Sequence, residues 1–328
     1  MATYLQFVEQ RQQEYSDFCK QLLFRKLTHL LLFTGSCFEL PVIYSVENIT
    51  DVDAMQYPRN ICAVTNEATA SKDFKGTLLI IQSEGSYHGY ARLYYKNSHL
   101  PYTYAVVPED RPAFSRVVLE KSEIIRGLLF DSSNTMKWLA AFHGLSYDTV
   151  DAIWCPNWPE EAHEWITRER RNEWPLLSTV DKIVNKGCFL VAKPYQRSHV
   201  IASEWRFSFS EAELLLIHTW SDVQMYVYHI LRLINDDVVR KCGGKKTTFL
   251  STYYFKTLMF WACEEKFKDF WLPGNIETSV KELILVMIEW LIAMQCRNYF
   301  IPGNNMLDNL PDGTTSKKRF GFSSIPQI

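Results

Sequence analysis

Over residues 49–55 the chain alternates, with Ile49, Asp51, Asp53 and Met55 interleaved by Thr50, Val52 and Ala54. A period of two belongs to an extended strand, in which successive side chains point to opposite faces, so both carboxylates share one face. A second short strand over residues 150–153, within Thr149-Val150-Asp151-Ala152-Ile153, can bring Asp151 beside them. Three carboxylates at one point repel one another unless cations sit between them. Upstream, Gly35-Ser36 offers a small turn for a triphosphate. Two divalent ions held by such acids are the working parts of nucleotidyl transfer. An isolated D-x-D also occurs on plain exposed strand ends, so the reading rests on the turn and the third aspartate together.

With 328 residues, 47% of them hydrophobic and 14% aromatic, the chain can bury a sizeable core as one large bilobed domain or two intimate ones. Residues 1–13 are polar and charged, unlike a signal peptide. The most apolar run, residues 283–294, is too short to span a bilayer and contains Glu289. A cytoplasmic protein with no membrane partner is therefore expected. Eight cysteines are scattered without a C-x-x-C pair or a His-Cys cluster, which suits reduced thiols and argues against structural zinc. The formal net charge of −2 provides no global attraction for nucleic acid, so any such binding needs a local patch.

Tyr15, Phe18, Cys19, Leu22, Leu23, Leu27, Leu30 and Leu31 recur every three or four residues. That spacing predicts a long helix over residues 5–31, with Arg11, Lys20, Arg25 and Lys26 largely outward. It ends at Thr34-Gly35-Ser36, where glycine permits a tight turn. Strand texture follows over 42–44, 49–55, 61–64, 77–82 and 88–95; helical signals return over 112–130, and a strand is expected over 149–155. Beyond Ser210 helices are expected over 214–234, 251–264 and 279–296, with Gly243-Gly244 in a loop. The expected fold class is α+β: a strand-rich part over 1–200, a helical part over 201–310, and a tail over 311–328 of loop composition.

Six segments in order carry a family likeness: Thr34-Gly35-Ser36 with Glu39; Asp51-Val52-Asp53; Val150-Asp151 followed by Cys155-Pro156-Asn157-Trp158-Pro159; Glu204-Trp205-Arg206-Phe207-Ser208-Phe209-Ser210 with Glu213; Ser251-Thr252-Tyr253-Tyr254-Phe255-Lys256-Thr257; and Asn298-Tyr299-Phe300-Ile301-Pro302. Through them the chain resembles the cyclic GMP-AMP synthase-like receptors, animal innate-immune nucleotidyltransferases with developmental relatives thought to be inactive. The resemblance implies a bilobed nucleotidyltransferase fold, in which a catalytic α/β core with a long spine helix precedes a C-terminal helical bundle. It implies that Asp51, Asp53 and Asp151 carry two Mg²⁺ or Mn²⁺ ions, and that Gly35, Ser36 and Glu39 belong to the nucleotide site. Arg206 would stack on or bond one base and Tyr253 would stack on the other. Ser208 and Glu213 would face the nucleotides, Ser251 would hold phosphate or ribose, and Arg232 would lie near the triphosphate. The implied activity is synthesis of a cyclic dinucleotide from ATP and GTP, or another such pair. Double-stranded nucleic acid, most often RNA, would be the trigger, and a STING-type receptor would read the product. Two departures stand out: Leu40 follows Glu39 where many relatives have glycine, and fourteen residues separate Ser36 from Asp51.

Several of these residues have plainer readings. Gly35-Ser36 also suits a helix C-cap. Ser210-Glu211-Ala212-Glu213 is a capping box, which by itself accounts for Ser210 and competes for Glu213. Tyr253 sits in an aromatic run that suits core packing, although an N-cap at Ser251 would put it in a first helical turn where stacking is open to it. Arg206 lies between Trp205 and Phe207 in a strand and points away from both, toward a cleft or toward water. Arg168, Arg170, Arg171, Lys182 and Lys186 read as a solvated helix face and, with Lys20, Arg25 and Lys26, as a candidate nucleic-acid patch. Two functions follow from different classes: a cyclic dinucleotide synthase, or a binding and developmental scaffold that keeps the fold without catalysis.

Overall fold

The computed structural model describes residues 29–34, 51–70, 74–96, 100–102, 115–118, 146–195, 197–198, 203–241 and 251–309. Among them, alternating and β-branched segments form nine strands: β1 (His29–Thr34), β2 (Asp51–Pro58), β3 (Ile61–Val64), β4 (Thr77–Gln82), β5 (Tyr90–Tyr95), β6 (Ser115–Val118), β7 (Ser146–Cys155), β8 (Cys188–Val191) and β9 (Glu204–Ser208). They make one sheet in the order β1-β2-β7-β3-β4-β5-β9-β8. The ten-residue β7 organises it. Its first half pairs parallel with β2 and antiparallel with β6, and its second half meets β3 and β8. The path from β7 through β3, β4, β5, β9 and β8 therefore returns to β7, and the sheet closes on itself.

Two expectations change here. Residues 29–31, the end of the expected helix over 5–31, belong to β1, and Ser115–Val118 within the expected helical stretch is β6. The run His-Leu-Leu-Leu-Phe-Thr is apolar on all sides, and such a run fits a buried strand as well as a helix. Pairing with β2 decides it. Residues 5–28, the rest of 112–130, the strand over 42–44, the Gly243-Gly244 loop and the tail over 311–328 lie outside the described residues.

The helices are α1 (His163–Thr167), α2 (Leu177–Lys186), α3 (Ser210–Ile217), α4 (Asp222–Lys241), α5 (Thr252–Glu265) and α6 (Ile276–Ala293). Helix α5 starts where the Ser251 hydroxyl accepts the Tyr253 N–H at 3.3 Å. Helix α6 ends on left-handed Met294, with Gln295 N–H donating to the Trp290 carbonyl. Gly187 closes α2 at φ 73°, where a Cβ would sit 2.1 Å from the Cys155 carbonyl oxygen, so glycine lets the chain enter β8 directly against β7.

One apolar cluster runs from the strands (Leu79, Leu93, Ile153, Leu190, Trp205, Phe207) through α3, α4, α5 and α6 to Tyr299 and Phe300. Phe209 stacks on Phe300 at 4.6 Å, tying the end of β9 to the C-terminal segment. A smaller cluster of Met55, Ala152, Phe189 and Val191 covers the other face. The molecule is mixed α/β, with a helical C-terminal part that shares the main core with the sheet. No helix among the described residues is long and apolar enough to cross a membrane.

Candidate active site

The register of the parallel pair β2–β7 determines which aspartates can meet. Asp51 is opposite Ser146, Asp53 opposite Asp148, Met55 opposite Val150 and Gln56 opposite Asp151. Register partners share a sheet face, as do residues two apart along a strand. Asp148 therefore joins Asp51 and Asp53 on the face of Met55 and Val150. Asp151, three residues on, lies on the other face, and there the structure departs from the expected triad. The chain around Asp151 agrees. Its face continues through Ile153 and Cys155 into the main core, and its carboxylate helps raise the pKa of Tyr102, after burial and Tyr95. The Tyr102 ring in turn stacks on Trp205 at 5.7 Å. Asp148 is an aspartate at a register position that the sequence reading passed over. It stands three residues before Asp151, just ahead of the strand expected over 149–155.

The face carrying Asp53 and Asp148 continues across β8 and β9. Val191 is opposite Arg206 and Phe189 opposite Ser208, so Arg206 and Ser208 stand on the side of the small Met55 cluster. The Ser208 hydroxyl lies 3.6 Å from Met55 Sδ, two residues along β2 from Asp53, and 3.0 Å from the Ser210 hydroxyl. Ser210 is no N-cap: Phe209 holds that position without a side-chain bond, and Ser210 is already helical. The expected capping box does not form.

Lys193, just past β8, is a second residue the sequence reading missed. Burial, and then the nearby Arg206 guanidinium, bring its ammonium down to about 8. Between pH 8 and the ordinary lysine value the unfolded chain binds more protons at this site than the folded one, so the cost of the charged form is full below 8 and disappears as pH rises through that window. In thermal melts taken from pH 8 to 10, Lys193→Met is expected to raise Tm at the low end and to flatten the climb. A variant that melts in parallel with the parent would contradict this placement.

Helix α3 delivers Glu213 and α5 delivers Tyr253 and Lys256 to a common point. The Tyr253 hydroxyl donates to Glu213 Oε1 at 2.8 Å, and Lys256 Nζ reaches Oε2 at 2.7 Å. Glu213 and Lys256 are buried, while Tyr253 is half-buried. Burial and the Glu213 charge push the Tyr253 phenol far up, with Lys256 and Arg206 acting the other way. Arg206 therefore belongs electrostatically to this group. Ser251 is occupied as the α5 cap. Arg232, on α4, lies over the Tyr228 ring at 5.8 Å, and its buried Nε and Nη1 find no hydrogen-bond partner among the described residues.

The expected basic patch is largely dismantled. Arg168 grips Glu264 through Nη2 at 2.8 Å and Nε at 2.6 Å, sandwiched between the Trp261 and Tyr299 rings. Arg170 is 5% exposed along its side chain, its Nε is 3.8 Å from the same carboxylate, and it donates to the Trp165 carbonyl. These two arginines hold the fold together, and no solvated face includes them. Lys186 pairs with Glu211, while Arg171 and Lys182 are exposed. Gly35, Ser36, Glu39, Lys20, Arg25 and Lys26 lie outside the described residues.

Two protein-family models match the chain. The model of the Mab-21 protein nucleotidyltransferase domain matches residues 103–219, and that of the Mab-21 protein HhH/H2TH-like domain matches residues 224–319. A cyclic GMP-AMP synthase-like receptor of Magallana gigas is 29% identical over 178 residues, 51% of this chain and 28% of the receptor. Protein mab-21-like of Drosophila melanogaster is 26% identical over 158 residues, 45% of this chain and 41% of that protein. The matched segments thus span less than half the length of either relative.

Proposed function

Because the chain belongs to the Mab-21 family, whose nucleotidyltransferase domain it carries, we propose that it joins two nucleoside triphosphates into a cyclic dinucleotide in a metal-dependent reaction. The observation that carries this reading is the register of Asp53 with Asp148, on the sheet face that bears Arg206 and Ser208. The name of the Magallana relative, a cyclic GMP-AMP synthase-like receptor, supports the choice of product.

Asp51, Asp53 and Asp148 would hold the cations, since an all-oxygen donor set suits hard ions such as Mg²⁺ or Mn²⁺. Bound divalent ions supply the charge that acidifies an attacking ribose hydroxyl and offsets the leaving pyrophosphate. The chain's own groups do the rest by position. Lys193 and Arg206 would face the triphosphate charge, Arg232 would lie near it, and the half-buried Tyr253 ring offers a stacking surface worth about 1–3 kcal/mol per base. No covalent intermediate is required, because alignment and fixed charge carry the transfer. Gly35, Ser36 and Glu39 would complete the phosphate loop.

The test is incubation with all four labelled nucleoside triphosphates and Mg²⁺ or Mn²⁺, with and without double-stranded RNA or DNA, followed by product analysis. A cyclic dinucleotide that forms in the presence of double-stranded RNA is the expected result. With Arg168 and Arg170 committed inside the fold, Lys20, Arg25 and Lys26 are the residues for charge reversal in the RNA arm, where binding should weaken steeply with salt. A folded protein that makes nothing under any of these conditions is a scaffold, and extended RNA would make it a terminal transferase.

A further inference from the structure

We infer that Glu213 is a positioning residue: it fixes the Tyr253 ring for a nucleobase to stack on and does not itself touch the nucleotide. This rests on the proposed nucleotide-binding role of the site. Glu213 is 3% exposed and Lys256 7%. Both carboxylate oxygens are engaged, Oε1 by the Tyr253 hydroxyl and Oε2 by the Lys256 ammonium, so almost no surface remains for a ligand. Tyr253 is held at both ends, its backbone N–H by Ser251 Oγ and its hydroxyl by Glu213. Lys256 Nζ also lies over the Tyr253 ring, 5.0 Å from its centroid. The ion pair thus joins α3 to α5 and sets the ring plane from behind. A stacking platform orients a base only if its own plane is fixed, and here a buried charge pair fixes it. Because the Tyr253 hydroxyl already donates to Glu213, Tyr253 takes a base by its π-face alone and does not read the base edge.

The sequence position of Glu213 suggested a nucleotide contact or a capping box. The structure gives its carboxylate a partner 43 residues away, Lys256, on another helix. The two roles separate in a charge cycle. Glu213→Gln and Lys256→Met each leave one buried charge without its partner, which strains this corner. The double variant removes both charges, preserves shape, and leaves the Gln carbonyl to accept the Tyr253 hydroxyl.

The experiment measures Tm, kcat and KM for each variant, after the parent has been titrated with a fluorescent ATP analogue. Each single variant is expected to lower Tm and to raise KM by about tenfold with kcat little changed. The double variant is expected to recover Tm and to bring KM back within about threefold of the parent. Tyr253→Phe, which loses only the hydroxyl, should raise KM with kcat unchanged and covers the case in which the double variant does not fold. A double variant with restored Tm and a KM still as poor as that of Glu213→Gln would mean that Glu213 contacts the nucleotide, and the inference fails. It fails equally if the single variants lose Tm but keep the parental KM, or if Tyr253→Phe leaves KM unmoved. A parent protein that binds no nucleoside triphosphate sinks the proposed function first, and this inference with it.

Discussion

Asp148→Asn is expected to abolish product formation, and Asp151→Asn to leave it within about threefold of the parent. The two residues are three apart in one strand, and the identical change at each isolates the effect of the sheet face. A carboxylate that holds a catalytic cation accounts for several kcal/mol of transition-state charge stabilisation, so its loss costs on the order of 10³-fold or more in turnover. Asp51→Asn and Asp53→Asn should be as severe as Asp148→Asn. The Asp151 side chain is exposed and faces the Tyr102–Trp205 side, so its neutralisation is expected to spare both the Asp53–Asp148 face and the core. Matched melting curves for all four variants would show that the losses are catalytic. The reverse ranking, with Asp151→Asn dead and Asp148→Asn active, would mean that β2 and β7 pair out of the register observed here.

Glu264→Gln is expected to be the most destabilising single change outside the active site. It leaves Arg168, 11% exposed along its side chain, and Arg170, 5% exposed, beside a group that carries no charge. It also weakens the acceptor for the Tyr299 hydroxyl, which donates to Glu264 Oε2 at 2.6 Å. Uncompensated buried charge typically costs about 3–5 kcal/mol, which for a protein of this size lowers Tm by roughly 4–7 °C. Arg168→Glu should do comparable damage, since it sets two carboxylates against each other between the Trp261 and Tyr299 rings. Arg171→Glu, at an exposed position, is expected to stay within about 0.5 kcal/mol of the parent. The contrast has a practical consequence. A charge reversal at Arg168 aimed at nucleic-acid binding would report unfolding, whereas one at Arg171 would report binding. Equal melting temperatures for Glu264→Gln and Arg171→Glu would show that the buried network contributes little.

Local chemistry wrote much of this molecule into its sequence. The period of two placed Asp51 and Asp53 on one face of a strand. Ser251 announced the start of α5, and the apolar spacing beyond Ser210 announced the helical C-terminal part. The order of six short motifs led to the nucleotidyltransferase fold. Each of these signals is carried by residues within a few positions of one another, where backbone geometry alone dictates the pattern. Long-range pairing supplied what was missing. Strand pleat says that Asp148 and Asp151 face opposite ways, but only the register of β7 against β2 says which of them meets Asp53. Charge spacing made Arg168 and Arg170 look solvated, because nothing nearby in the chain announces Glu264, 96 residues beyond Arg168. The leucines at 30 and 31 continued a helical rhythm until β2 offered them a ladder of hydrogen bonds. Glu213 matched a capping box in its own segment, yet its charge is answered by Lys256 on a different helix. A one-dimensional pattern fixes which face a residue occupies on its own element; what that face meets depends on contacts between segments far apart in the chain, and those exist only once the sheet and helices have packed.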